Sequence, residues 1–158
     1  MVTGSFVTHS EEETHAFARK AGELSRPCDV WCLVGPLGAG KTSFVKGLAE
    51  GLGFPGPVTS PTFTLHHIYT EGRLPLHHFD WYRLKGAGEV EDLGFSEWAE
   101  KGGVTAVEWA DRFPKLIPAN SITLTMELVS EGERRLVLEA SDPRIIPLAS
   151  ELLKCWPP

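Results

Sequence analysis

The apolar run Val30-Trp31-Cys32-Leu33-Val34 passes without a break into GPLGAGKTSF, residues 35 to 44, and no other stretch limits the possible folds so tightly. An uninterrupted apolar run of this length predicts a strand buried on both faces, at the centre of a largely parallel sheet. Beyond the glycines, Phe44, Val45, Leu48 and Leu52 recur at helical spacing until Gly51 and Gly53, which predicts an amphipathic helix ending there. Strand, glycine loop and helix in direct succession define an α/β unit.

The flanking sequence extends that unit in both directions. Ser5-Phe6-Val7 predicts a short strand, and Ser10 with Glu13 three residues later predicts a capped helix with Phe17, Ala21 and Leu24 on one face. Phe63, Leu65, His67 and Tyr69 alternate up to a turn at Glu71-Gly72-Arg73, and Leu74, Leu76, His78, Asp80 and Tyr82 alternate back, predicting a hairpin. Residues 86 to 100 predict short helices broken at Gly94, and Val104 to Val107 a buried strand ending in Glu108-Trp109. A second hairpin is expected from Ile122 to Ala140, turning at Glu131-Gly132-Glu133. Pro143 is expected to open a closing helix that buries Ile145, Leu148, Leu152 and Trp156. At 158 residues this predicts one domain, residues 1–158: a three-layer α/β fold with a mixed parallel and antiparallel central sheet.

Gly35, Gly40, Lys41 and Thr42 satisfy GxxxxGK[ST], which a chain of this length meets by chance about one time in a hundred. Glycines at 35, 38 and 40 let successive amides turn toward an anion, and the helix N-terminus adds its positive end. Pro36, Leu37, Gly38, Ala39, Gly40, Lys41, Thr42 and Ser43 are the predicted phosphate contacts, with Lys41 on the β and γ phosphates and the Thr42 hydroxyl on Mg²⁺. A glycine turn before an ordinary helix would explain the glycines but not Lys41-Thr42 at that spacing. Such a site needs an acid at the end of a neighbouring buried strand. Glu108 is assigned to the metal, directly or through water, and Asp80 to the attacking water, with Glu108 the alternative for the water and a solvated strand-end carboxylate the competing reading for each. Thr62, after Pro61, is a candidate switch residue touching the γ-phosphate or Mg²⁺ in one nucleotide state, or simply the start of an edge strand.

Other features mainly exclude functions. A formal charge of −6 argues against direct nucleic-acid binding on a basic face. Cys28, Cys32 and Cys155 lack metal or disulfide spacing and fit buried side chains in a reducing compartment. With no secretory pattern and no apolar stretch near the ~20 residues of a membrane span, a cytoplasmic protein with no membrane partner is expected. His66-His67 and His77-His78 point to opposite faces in pairs and read as polar positions of the hairpin. Trp81, Trp98 and Trp109 read as core or interface anchors rather than base-stacking platforms. No Asn-Lys-x-Asp guanine signature follows the loop, which favours adenine. A small-molecule kinase and a nucleotide-sensing adaptor without significant hydrolysis both remain compatible with these residues.

GPLGAGKTSF, Ser60-Pro61-Thr62-Phe63, His78-Phe79-Asp80-Trp81-Tyr82-Arg83-Leu84 and Glu108-Trp109, in that order and spacing, resemble the bacterial TsaE (YjeE) family of small P-loop ATPases over nearly the whole chain. The resemblance implies ATP hydrolysis with Mg²⁺ in support of N6-threonylcarbamoyladenosine formation at position 37 of tRNA. It implies docking on the TsaD and TsaB proteins, with tRNA met only indirectly, and an ATPase weak alone and dependent on its partners. Docking would be controlled through the Thr62 loop and residues 80 to 94. By position it places Lys41, Asp80 and Glu108 in catalysis, Thr42 and Glu108 at the metal and Thr62 at the switch. Ser10 and Arg134 or Arg135 fall near the adenosine. Pro36 stands where the family usually has Asp, and removes an amide donor without touching those of residues 38 to 42. Trp81 stands where Leu is frequent, and its larger ring is expected to alter the partner surface.

Overall fold

The computed structural model describes residues 1–61 and 64–156 of the chain. Among the described residues seven strands form one sheet: β1 (Val2–Thr8), β2 (Val30–Val34), β3 (His66–Tyr69), β4 (Leu76–Asp80), β5 (Val104–Glu108), β6 (Ser121–Ser130) and β7 (Glu133–Ala140). Their spatial order is β1-β7-β6-β2-β5-β4-β3. The inner pairs β6/β2, β2/β5 and β5/β4 are parallel, and the outer pairs β1/β7, β7/β6 and β4/β3 are antiparallel. The sheet is therefore mixed, and β2 lies inside its parallel part as its apolar run requires.

Side-chain alternation divides the core between the two faces. On one face Trp31, Leu33, Ala106, Ile122, Leu124 and Leu138 pack under α1 (Glu11–Leu24), α2 (Lys41–Gly51) and α5 (Ile146–Cys155). On the other, Val30, Cys32, Phe79 and Val107 meet the short helices α3 (Ala87–Asp92) and α4 (Phe95–Ala99), with Gly94 in the left-handed region between them. Cys32 is fully buried, and burial pushes its thiol up to about 12, so it is an inert core group.

α1 starts as its capping residues dictate: the Ser10 hydroxyl accepts the Glu13 amide at 3.1 Å, while the Glu13 carboxylate accepts the His9 amide at 3.2 Å. α1 and α2 then cross with almost no side chain between them. A methyl group on Gly47 would lie 2.5 Å from Cβ of Ala18 and 3.0 Å from the His15 carbonyl oxygen. One on Gly51 would run into the Arg19 carbonyl, and one on Gly22 into that of Leu48. Gly51 is thus a packing residue at the last position of α2, in addition to marking its end.

Several expectations are corrected by packing. The closing helix opens at Ile146 with Pro147 in its first turn, and Pro143 lies before it. The first hairpin is shorter than its alternation suggested, because Leu65 takes φ 70° and ends the strand pattern ahead of His66. Phe63, placed at the head of that strand, lies outside the described residues, as does Thr62. His77 and His78 do point to opposite faces, but both are buried, at 3% and 0% exposure. His77 stacks on Trp98 with centroids 4.9 Å apart, and His66 stacks on Phe79 at 4.0 Å, so these rings serve as core aromatics. Trp81 presents no surface: it is fully buried between Phe95 and Phe113.

Candidate active site

β2, β4 and β5 run parallel and end side by side, so the loop after β2 and the last residues of β4 and β5 converge. In that register Asp80 lies opposite Glu108, and Glu108 opposite Leu33, one residue before the end of β2. The loop itself is shaped by left-handed residues, with Gly38 at φ 81° and Gly40 at φ 104°. Gly40 caps α2 without a side chain, so the first-turn amides of α2 have no side-chain cap. A cavity of about 700 Å³ opens over them, lined on the loop side by Leu37 through Ser43 and on the strand side by Asp80, Tyr82, Glu108 and Trp109. Glu11, Glu12, Thr14, His15 and Arg19 of α1 and Lys46 of α2, together with Ser60, Gly132 and Arg134, form the remaining walls.

Lys41 is 5% exposed, and its ammonium donates to the carbonyl oxygens of Gly35 at 2.6 Å and Pro36 at 2.9 Å. The same nitrogen sits 4.0 Å from the centroid of the Trp109 ring, a cation–π contact. Burial pushes its pKa down, against the pull of Glu108, Asp111 and Asp80. Thr42 follows on the next residue, and its hydroxyl donates to both Glu108 oxygens, at 2.9 and 3.0 Å. Glu108 is 3% exposed and is also held by Nε2 of His78 at 2.6 Å. Asp80 is equally buried, and its Oδ1 accepts the amide of Tyr82 at 2.8 Å. Both acids therefore differ from the solvated strand-end carboxylates that were the competing reading.

The residues present suit a magnesium nucleotide. The carboxylate of Glu108 takes the hydrogen of Thr42, which leaves the lone pairs of that hydroxyl for a cation. No group of three or more His, Cys, Asp or Glu side chains capable of holding a metal occurs among the described residues. Mg²⁺ is held through one or two protein oxygens, with phosphates and water completing its shell, and the Thr42 hydroxyl beside Glu108 fits that requirement. Gly38 has open space where a side chain would project, which keeps the loop accessible to a bulky anion.

The predicted residues divide in their placement. Leu37, Gly38, Ala39, Gly40, Lys41, Thr42, Ser43, Asp80, Glu108 and Arg134 all line this cavity. Ser10 and Pro36 do not line it: Ser10 is engaged in capping α1, and the carbonyl of Pro36 is turned to Lys41. Arg134 reaches across from β7 and donates to the carbonyls of Ala39 at 2.9 Å and Gly38 at 3.4 Å, so it braces the loop. Arg135 points elsewhere, to Glu127 at 3.7 Å. Two contributors escaped the sequence reading. Trp109, at φ 60°, lies over Lys41 in the cavity rather than only in the core, and His78 backs Glu108. The spacing His78-x-Asp80 was the available signal for the second, since alternate residues of a strand share a face.

Comparison with known proteins identifies the family. The family described as "Threonylcarbamoyl adenosine biosynthesis protein TsaE" matches residues 8–136. The tRNA threonylcarbamoyladenosine biosynthesis protein TsaE of Bacillus subtilis is 41% identical over 145 residues, 92% of this chain and 90% of that protein. The protein of the same name from Treponema pallidum is 39% identical, covering 84% of this chain and 97% of its own length. The crystal structure of Bacillus subtilis YdiB superposes with a TM-score of 0.80 at 35% identity, over 97% of this chain and 95% of that one. With its phosphate loop, paired strand-end acids and sheet order in place, and with this extent of similarity, the chain belongs to the TsaE family of tRNA threonylcarbamoyladenosine biosynthesis proteins.

Proposed function

We propose that the protein binds ATP with Mg²⁺ in the cavity over the phosphate loop and hydrolyses it. The hydrolysis would serve tRNA threonylcarbamoyladenosine formation through the TsaD and TsaB proteins, in the cytoplasm. The observation that carries this reading is the contact of Thr42 with Glu108, set beside a buried lysine at the head of a helix without a side-chain cap. The α2 amides receive the phosphates, and Lys41 exchanges its two carbonyl partners for phosphate oxygens. A bound Mg²⁺ would supply positive charge to offset the negative charge developing on the transferred phosphate. Thr42 and Glu108 are the residues that would hold it, and Asp80, 3% exposed and aligned with Glu108, orients the attacking water. Arg134 keeps the loop carbonyls of Gly38 and Ala39 turned away from the anion.

The net charge of −6 supports indirect contact with tRNA, because a subunit that acts on a complex holding the RNA needs no phosphate-gripping face. The test combines purified protein with a TsaD–TsaB complex and tRNA, and follows ATP turnover and base modification together. Both should depend on the mixture. Turnover of ATP onto a small metabolite instead would favour a kinase, and binding without turnover an adaptor. Lys41→Ala should abolish ATP binding, and unchanged affinity would remove the loop from the mechanism.

A further inference from the structure

We propose that His78 is the positioning residue of this site: it fixes the Glu108 carboxylate against Thr42 and so sets how much Mg²⁺ adds to nucleotide affinity. The inference rests on the reading of Thr42 and Glu108 as the metal pair. Its basis is the chain of contacts from His78 Nε2 to Glu108 Oε2 at 2.6 Å, and from the Thr42 hydroxyl to both Glu108 oxygens. A glutamate has three side-chain torsions, and only one of its oxygens needs to be held for the other to be aimed. His78 holds it from below, on the neighbouring strand, with no exposure of its own.

The tautomer follows from what surrounds the ring. Nδ1 of His78 is buried with no hydrogen-bond partner among the described residues. Hydrogen on Nε2 makes that nitrogen the donor to the carboxylate and leaves a bare lone pair at Nδ1. The opposite tautomer would bury an orphaned N–H and set a lone pair against a carboxylate oxygen, which costs more on both counts. A ring present only to fill the core would have no reason to sit at this distance and in this direction. His77, on the opposite face of the same strand, fills that role by stacking on Trp98.

The site is tested by replacing the ring with amides that mimic one nitrogen or the other. His78→Gln places an N–H near the position of Nε2, whereas His78→Asn stops short, near Nδ1. Nucleotide affinity is measured for each variant and the wild type in EDTA and in saturating Mg²⁺, using a nonhydrolysable ATP analogue, and Mn²⁺ binding to the same complexes is followed by electron paramagnetic resonance. Loss of a group that orients a metal ligand weakens metal affinity about 10- to 100-fold. His78→Asn should therefore lose about tenfold or more of the gain conferred by the metal, with affinity in EDTA within about twofold of wild type, and His78→Gln should recover most of it. An unchanged gain in His78→Asn, or equal losses in the two variants, would overturn the assignment. A wild type indifferent to Mg²⁺ would instead bring down the metal reading of Thr42 and Glu108, and this inference with it. Nitrogen NMR of the wild type adds a check that needs no variant: the hydrogen should reside on Nε2, and finding it on Nδ1 refutes the proposal.

Discussion

Substituting Gly47 by Ala sets two known effects against each other at the crossing of α1 and α2. Gly47 is buried in the interior of α2 with no unusual φ, so alanine's better helix propensity alone would stabilise the protein by about 1 kcal/mol. The added methyl, however, would stand 2.5 Å from Cβ of Ala18, 3.0 Å from the His15 carbonyl oxygen and 3.4 Å from the Arg19 nitrogen. Carbon atoms pack at about 3.5 to 4.0 Å, so the helices must part by about 1 Å or more. Overpacking of this kind costs about 1 to 3 kcal/mol, and a backbone cannot turn aside as a long side chain can. The net expectation is destabilisation by up to about 2 kcal/mol, seen as a fall in Tm of up to about 8 °C for a chain of this size. Thermal unfolding by circular dichroism measures it. Gly88→Ala in α3 is the control: among the described residues nothing beyond its chain neighbours and its own helix backbone lies within 4 Å of the added methyl, so only the propensity gain acts and Tm should hold or rise. Combining Gly47→Ala with Ala18→Gly removes the nearest clash, so the pair should destabilise by less than the two single changes added together. A rise in Tm for Gly47→Ala, or strict additivity of the pair, would refute the close crossing.

Three further outcomes test the site and its surroundings. Glu108→Ala should lower the ATP turnover rate at least tenfold while changing nucleotide affinity less, as stopped-flow binding beside steady-state kinetics would reveal; the reverse order contradicts the proposal that it holds a metal. Arg134→Ala, by releasing the carbonyls of Ala39 and Gly38, should weaken ATP binding several-fold, read by calorimetry, without unfolding the chain. His66 is held well below the usual histidine value, at about 4, chiefly because burial opposes its charge, with His77, His67 and His78 adding to the effect. The unfolded chain takes up that proton near pH 6.5 and the folded chain only near 4, so this stability is whole above about pH 6.5 and is lost as pH falls toward 4. His66→Phe, which keeps the stacking on Phe79 and removes the proton site, should lessen the decline in Tm between pH 7 and 4.5.

The phosphate loop was legible because its chemistry is local: a buried strand, a left-handed glycine turn and a helix follow one another in sequence, and each leaves its own pattern. Glu108 was legible because an apolar run that ends in a carboxylate places that acid at a strand's end wherever the strand lies. What could not be read depends on which strands are neighbours. The resemblance offered Arg134 or Arg135, and only the sheet order decides for Arg134, which reaches the loop because β6 and β7 fold back beside β2. His78 reaches Glu108 only because the β4–β5 register brings Ala106 opposite His78 and Glu108 opposite Asp80. The adjacent histidines looked polar because their type is polar, whereas stacking on Trp98 and bonding to Glu108 satisfied enough of each ring to bury it. Trp109 looked like a core anchor because its left-handed φ, which turns the ring toward Lys41, has no counterpart in residue type.

The crossing of α1 and α2 also decides how this protein can move. Packed helices slide past one another by small torsional changes in the side chains between them. At Gly22, Gly47 and Gly51 there are no intervening side chains to turn, and each glycine sits against the backbone or Cβ of the other helix. Shear is blocked there, and α1 is coupled as a rigid body to the first turn of α2, where Lys41 and Thr42 stand. An entering ligand thus meets one unyielding wall, and the accommodation falls to the opposite one, where Tyr82, half-exposed, rests on Trp109 with ring centroids 4.7 Å apart.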